Sequence, residues 1–393
     1  MIQAGVGYSG GGSAERAART AAEIAMERAG LDRGDLAFVF ATTDYRAAYT
    51  QLLSAVQRTT GVRHLVGCSG MGVLTTDGEF EHAPGVAVLV VKSRDLSAEP
   101  FLIRTGEPIR EAPGQAIRRL IHPLPAPNPL LVVFPDIFTV HPAELLREIQ
   151  EDATVLPIVG GAASGGPYDR MTFQWCGGDI EVHGVAGMLL SGAFRTSIGI
   201  AQGCQPIGEP YLISRARGNL ILELNGRPAF DVLQEVVTSL PPEEVERAFH
   251  SLFAGLAIPK EKPTLQRGDF LVRTIAGIDP ASGAVAIAEQ VRPGQILQFT
   301  LRDANAARAD MRRMLEHLYP SLRGSHPRFG FYFNCLGRGV GLYGDRHHDI
   351  TLIKEFFVDL PVIGFFGNAE LAPLGGRNYV HNYTGVLVVF SEG

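Results

Sequence analysis

Apolar residues along this chain fall into short, nearly unbroken runs, and the runs recur in one order three times. LAFVFATTD, HLVGCSG with Gly67, and GVAVLVV from Gly85 make the first copy. LLVVFPD, LPIVGGAASGG with Gly160, and GVAGMLL from Gly184 make the second. GFYFNCLGRG, LPVIGFFGNAE with Gly364, and GVLVVF from Gly385 make the third. The steps Phe40–Gly67, Phe134–Gly160 and Phe333–Gly364 are 27, 26 and 31 positions, with a helix-length stretch inside each. Runs without strict polar alternation predict strands covered on both faces. The reading is α/β: a layered α/β sandwich of three related strand–helix–strand–strand units, helices outside. Repetition places equivalent loops in equivalent positions, so function is to be sought where the copies differ. Gly67, Gly160 and Gly364 are predicted to be equivalent, each ending a strand at a loop between layers.

Outside the repeat, residues 2–7 predict a strand, and Gly10–Gly12 and Ser13 lead into a helix closed by Gly30. That helix buries Ala18, Ala21, Ala22, Ala25 and Ala29, so it should lie close against a sheet. Asp44 is the expected N-cap of a second helix carrying Leu52, Leu53 and Val56, and Pro142 opens its counterpart in the second copy. Pro123–Pro129 links the two copies. Past residue 196 the texture changes. Residues 211–224 and 269–291 read as hairpins, with helices opened by Pro228 and Pro241–Pro242 between them. Asp303 caps a helix running to Leu318. These features divide the chain into residues 1–196, holding two units, and 197–393, holding a β-rich insertion (197–300) ahead of the third unit (301–393).

Composition narrows the class. The 35 basic and 41 acidic side chains give a formal charge of −6, and no basic run occurs, which argues against nucleic acid as partner. The apolar runs are far shorter than the roughly 20 residues of a membrane helix, and no signal-peptide pattern opens the chain. The four cysteines, Cys68, Cys176, Cys204 and Cys335, show neither zinc spacing nor a disulfide framework. A soluble, cytoplasmic protein with reduced thiols is expected.

FNCLGRGVGLYG (333–344), LPVIGFFGNAELAP (360–373), HNYTGVLVVF (381–390) and GCQPIGEPYLISRARGNLILELNGRPAFDVL (203–233) resemble the C-terminal half of the FIST family. LVGCSGMGVLTTDG (65–78) and the first strand and helix resemble its N-terminal half, so the resemblance spans the chain. Ala369-Glu370 stands where members commonly have Gly-Glu, and the extra methyl narrows whatever that loop surrounds. The resemblance implies a FIST N-terminal domain over 1–196 and a FIST C-terminal domain over 197–393. It implies a sensory module that binds a small metabolite such as an amino acid and signals through a partner protein. Some bacterial members look like haem-based nitric oxide sensors, which makes haem the alternative cofactor.

Several residues carry candidate chemistry. Gly5-x-Gly7-x-x-Gly10 matches a dinucleotide fingerprint literally, but the acidic residue expected about 20 positions later is missing, so a tight strand-to-helix turn explains it better. Cys68-Ser69 sits where the first copy breaks; the frame is wrong for a nucleophile elbow, and a small-residue turn or a ligand contact is the better reading. The loop Asn334-Cys335-x-x-Arg338-Gly339 is the sharpest candidate, because Arg338 offers a fork suited to a carboxylate or phosphate. Two readings of Arg338 stand side by side: it binds a ligand, or it pairs internally with Glu370. Glu370, with Asn368, introduces a carboxylate where the other copies read CSG and GAASG. Arg338 with Glu370 would suit a zwitterion. His82, His183 and His381 each precede the last strand of a copy; His381 or His82 is the alternative haem ligand, against a structural role for each. His347-His348 reads as a solvated cap. No catalytic cycle is expected, the rivals being a thiol-dependent enzyme using Cys68 or Cys335 and an interaction scaffold.

Overall fold

A computed structural model describes residues 1–105, 111–125, 127–150, 156–166, 170–258 and 268–392, so residue 126 of the linker and 259–267 of the insertion lie outside it. Two compact units emerge: residues 1–200, 311–380 and 384–393 in one, and 201–310 with 381–383 in the other.

The strands, in chain order, show how the repeat is built. The first copy supplies β1 (Gln3–Ser9), β2 (Leu36–Thr42), β3 (His64–Gly70), β4 (Gly72–Thr75), β5 (Gly78–Glu81) and β6 (Val86–Lys92), with helices α1 (Ala14–Ala29) and α2 (Tyr49–Thr60). The second supplies β7 (Leu96–Arg104), β8 (Leu130–Pro135), β9 (Ile158–Gly161), β10 (Phe173–Cys176), β11 (Asp179–Val182) and β12 (Gly184–Gly192), with α3 (Pro113–Ile121) and α4 (Pro142–Ile149). The third opens with β13 (Arg195–Gln202). It is then interrupted by β14 (Cys204–Pro206), β15 (Tyr211–Arg217), β16 (Leu220–Leu224), β17 (Arg227–Pro228), α5 (Ala229–Thr238), α6 (Pro242–Ser251), β18 (Leu252–Ala257), β19 (Phe270–Asp279), β20 (Ala284–Ile287) and β21 (Ile296–Arg302). It resumes with α7 (Ala304–Ser321), β22 (His326–Cys335), α8 (Val340–Tyr343), α9 (His348–Phe356), β23 (Val362–Gly367), β24 (Glu370–Leu374), β25 (Arg377–His381) and β26 (Thr384–Glu392).

Three six-stranded sheets result, ordered β1-β6-β2-β3-β10-β11, β7-β12-β8-β9-β24-β25 and β13-β26-β22-β23-β4-β5. Each sheet is four strands of its own copy plus a hairpin from another. The first copy gives β4–β5 to the third sheet, the second gives β10–β11 to the first, and the third gives β24–β25 to the second. In every sheet a parallel pair joins the equivalent strands, β2–β3, β8–β9 and β22–β23. The sandwich is therefore closed by exchange. The inner faces share one core, in which Phe40, Phe134, Phe333 and Phe365 meet at ring distances of 4.7–6.0 Å.

Gly67, Gly160 and Gly364 hold equivalent places, as the repeat requires. They pair with Val39, Val133 and Tyr332 of the parallel neighbour, and a Cβ there would lie 1.8, 2.0 and 1.8 Å from that neighbour's carbonyl oxygen. They sit within β3, β9 and β23 and do not end strands, because it is the close approach to the parallel strand that demands glycine. Gly5 and Gly7 are explained similarly: a Cβ would fall 2.2 and 2.1 Å from carbonyls of Ala25 and Ala21 on α1, so the fingerprint match reflects close helix packing. One boundary shifts. A 3-10 turn over Thr43–Ala48 precedes α2, which starts at Tyr49 and not after an Asp44 cap.

The second unit contains both expected hairpins, β15–β16 and β19–β20. Its sheet runs β21-β15-β16-β20-β19-β18, and β18 pairs back onto β21, closing a barrel. Ile213, Ile221, Leu256, Val285, Leu297 and Phe299 fill it together with Val232, Leu233 and Val236 of α5.

Candidate functional site

The layer between each sheet's outer face and its helices is where the copies part. The residues opposite the three glycines are Val39, Val133 and Tyr332, and two positions on stand Ala41, Pro135 and Asn334. In the first copy this layer is apolar, with Val39 and Ala41 against Leu52, Leu53 and Val56 of α2. The second is apolar too, with Leu131 and Val133 in one cluster with Ile117, Leu145 and Leu146. In the third copy, Tyr332 and Asn334 reach a buried ion pair.

That pair joins Arg338 to Asp349, Nη2 to Oδ2 at 3.1 Å, with both side chains 0 % exposed. Arg338 Nε also donates to Asp349 Oδ2 at 3.2 Å, and Nη2 to the Tyr343 hydroxyl at 2.5 Å. Asp349 further accepts from the hydroxyls of Tyr332 (2.8 Å) and Tyr343 (2.9 Å) and from Asn334 Nδ2 (3.2 Å). Burial opposes the guanidinium charge, but Asp349, Tyr343 and Tyr332 together outweigh it and hold its pKa well above the usual value. The internal carboxylate of Arg338 is thus Asp349, at the start of α9, and not Glu370.

The hairpin lent by the first copy closes one side. Glu79 donates its backbone N–H to His347 Nδ1 at 2.8 Å, and Glu81 Oε1 accepts from Val340 N at 2.9 Å. Gly339, at φ 62°, holds a backbone conformation that disfavours a side chain, and a Cβ there would also displace the Glu81 carboxylate, 2.3 Å away. His347 is therefore a docking point, with φ 61°, and not a solvated cap. Burial, then Asp349 and Glu81, push the Glu79 carboxyl well above its ordinary range.

Glu370 borders the other side. It lies in β24, fully buried, and its Oε2 accepts from Thr384 N (3.3 Å) and Thr384 Oγ1 (2.7 Å). Pairing sets its counterparts: Glu370 faces Gly161 as Gln174 faces Cys68 and Phe365 faces Val73. The equivalent residues are Gln174 and Val73, and not the CSG and GAASG loops. Gln174 does the same structural work, its Oε1 accepting from Gly184 N at 2.7 Å. Burial raises the Glu370 pKa to about 8, with Thr384, Arg338 and the hydrogen-bonding Cys335 thiol pulling the other way.

Among the described residues, Glu79 Oε1, Asn334 Oδ1 and Glu370 Oε1 are buried with no hydrogen-bond partner. All three are acceptors. Asn334 touches the Arg338–Asp349 pair directly, and Glu79 and Glu370 both feel the Arg338 charge. Buried polar atoms are nearly always satisfied, so three orphans flanking one ion pair need an explanation.

The structure therefore brings Asn334, Cys335, Arg338, Gly339 and Glu370 together. Asn368 turns elsewhere, its Nδ2 donating to Ala163 O at 2.7 Å. It joins a junction of the three copies, where Ser69 Oγ donates to Ser164 O (2.8 Å) and accepts from Phe173 N (3.0 Å). Cys68 is buried in the shared core, and burial lifts its thiol well above the ordinary value, away from the thiolate form that reacts. His82 is exposed at φ 56°, in a backbone position that His183 (φ 65°) and Tyr383 (φ 60°) repeat. His381 is buried. Among the described residues no three His, Cys, Asp or Glu side chains group as a metal site. Tyr332, Tyr343, Asp349 and Glu79 escape the sequence reading. Lining up VFA, VFP and YFN across the copies would have exposed Tyr332 and Asn334.

Two hollows lie elsewhere. A cleft of about 860 Å³ beside α1 and α7 includes Arg28 and Arg328, already paired with Asp77 and Glu392. In the barrel unit an apolar groove of about 580 Å³ runs between α5, α6 and β19. Neither presents an unpaired buried polar group.

A layered α/β protein with a buried ion pair between sheet and helices in its third copy is the class that fold and site define. Sequence comparison makes it particular: the FIST N domain profile matches residues 35–227 and the FIST C domain profile 229–373, and the chain belongs to the FIST family. Domains of this family are regarded as sensory, binding small ligands in signalling proteins. An uncharacterized protein of Mycobacterium tuberculosis is 33% identical over 394 residues, covering 100% of both chains. Another, of Mycobacterium bovis, is 32% identical over 397 residues, covering 100% of this chain and 99% of its own. Human F-box only protein 22 is 32% identical over 77 residues, 19% of this chain and 18% of that one. The crystal structure of a cyanuric acid hydrolase from A. caulinodans aligns with a TM-score of 0.36 at 10% identity, over 100% of this chain and 99% of that one, too distant to bear on function.

Proposed function

We propose that this chain is a small-ligand sensor without a catalytic cycle of its own, that its ligand is an amino acid or similar small amine, and that its output runs through a partner protein. The observation that carries the reading is the set of three buried acceptors without donors, Glu79 Oε1, Asn334 Oδ1 and Glu370 Oε1, around the Arg338–Asp349 pair. Arg338 is engaged by Asp349, so the open valences belong to the acceptors, and the complementary ligand group is rich in N–H. An ammonium carries three donors and no acceptor. The site's seclusion favours binding over turnover, as does the burial of the Cys68 thiol, which raises its pKa. A thermal-shift screen of metabolites tests this. A ligand at 100 times its dissociation constant stabilises by about 2.7 kcal/mol. Hits are expected among primary amines; a screen in which only anions or apolar compounds stabilise the chain would overturn the reading.

A further inference from the structure

Building on that ligand reading, we propose that the site exchanges a proton for the ligand's cation: Glu370 is a neutral acid when the site is empty and becomes a carboxylate facing the ligand's ammonium. The geometry argues it first. At the equivalent position the second copy uses Gln174, whose oxygen accepts from Gly184 N while its Nε2 donates to Thr172 Oγ1 at 2.7 Å. Glu370 keeps the accepting half through Thr384, and its other oxygen meets no partner. A protonated carboxyl keeps that accepting oxygen and places no charge in the buried site. An ionised one leaves a bare oxygen in a buried site, a charge that burial penalises unless it is paired.

The groups facing Glu370 agree. Across the ladder stands Gly161, which is uncharged; β22 and the loop after it supply the Cys335 thiol and Arg338, and β26 supplies Thr384. Arg338 is a cation whose charge acts on Glu370, and that charge is already matched by Asp349; β25, on the other side of β24, carries the buried His381. Burial accordingly raises the Glu370 pKa to about 8, within reach of ordinary solution pH. On binding, the O–H bond of Glu370 breaks, its proton leaves to the solvent, and the ammonium enters with its own charge. The net charge of the site is the same before and after.

Methylammonium is the probe, with acetate as the anion control, on the full chain and on Glu370→Gln, which copies the Gln174 arrangement and is expected to fold. Calorimetry in buffers of different ionisation heat counts the protons released. Apparent affinity scales with the ionised fraction of Glu370, so methylammonium should bind roughly 100-fold more weakly at pH about 6 than at pH about 9. Close to one proton should be released per ligand at the lower pH, and acetate should not bind. In Glu370→Gln the pH dependence and the proton release should both vanish. Binding that is equal at the two pH values, or a slope that survives in Glu370→Gln, overturns the exchange and leaves the ligand reading standing. No methylammonium binding at either pH overturns the ammonium site itself.

Discussion

Replacing Arg338 by alanine removes the cation paired with Asp349 in a place where both side chains are fully buried. Asp349 would retain three donors, the hydroxyls of Tyr332 and Tyr343 and the amide of Asn334, but no counter-charge. Stranding one member of a buried ion pair costs about 3–5 kcal/mol, and the surviving donors favour the lower end. For a chain of 393 residues, at roughly 2 cal/mol/K of unfolding entropy per residue, each kcal/mol lowers the melting midpoint by about 1–2 °C, so a fall of roughly 3–6 °C is expected. Calorimetric melting of the wild type and Arg338→Ala measures it. The double variant Arg338→Met/Asp349→Leu, which removes both charges, should recover much of the loss. A single variant melting within about 2 °C of the wild type would refute the reasoning, because a pair so cheap to break is not desolvated. The sequence alone suggests the opposite outcome, survival of the fold, since arginine is rarely buried.

Three further outcomes are expected. Because the folded pKa of Glu370 is raised from 4.5 to about 8, its contribution to stability is fully present below about pH 4.5 and is lost as pH rises through about 8, an effect of about 5 kcal/mol at most; unfolding titrations of the ligand-free chain should show that decline, and Glu370→Gln should flatten it. Of the four cysteines, Cys176 is only half-buried and Cys68, Cys204 and Cys335 are buried, so a thiol reagent should modify Cys176 first; rapid native-state labelling of Cys68 or Cys335 would favour a thiol enzyme over a sensor. A fragment of residues 1–196 would leave β4–β5 without the third sheet and the second sheet without β24–β25, so circular dichroism and melting should show no cooperative native fold.

Much of the fold was legible because local pattern carries it. The apolar runs, the three glycines and both hairpins of the insertion follow from side-chain periodicity and turn residues, which act within a few positions. The hairpin exchange was not legible, since β4 is as apolar beside β23 as it would be beside its own copy, and nothing local says which partner it takes. Closure of the barrel through β18 and β21 is hidden for the same reason. At the site, Asn334, Arg338 and Glu370 stood out as polar residues in apolar surroundings. Asp349 looked like an ordinary acidic residue in the first turn of a helix, and Glu79 like a surface charge in a short hairpin. Their roles come from packing against residues of distant segments: Glu79 bonds to His347 across 268 positions. Cys68-Ser69 resembled an exposed turn, yet the strand continues through both residues into the shared core.

The most direct test of the central claim is a crystal structure of the full chain with the strongest amine from the metabolite screen. The account predicts ligand density in the third copy's polar layer, with the ammonium nitrogen within about 2.7–3.2 Å of Glu79 Oε1, Asn334 Oδ1 or Glu370 Oε1 and the Arg338–Asp349 pair intact. Density in the cleft beside Arg28 and Arg328, or in the apolar groove of the barrel unit, with the three acceptors still unpaired, would contradict it.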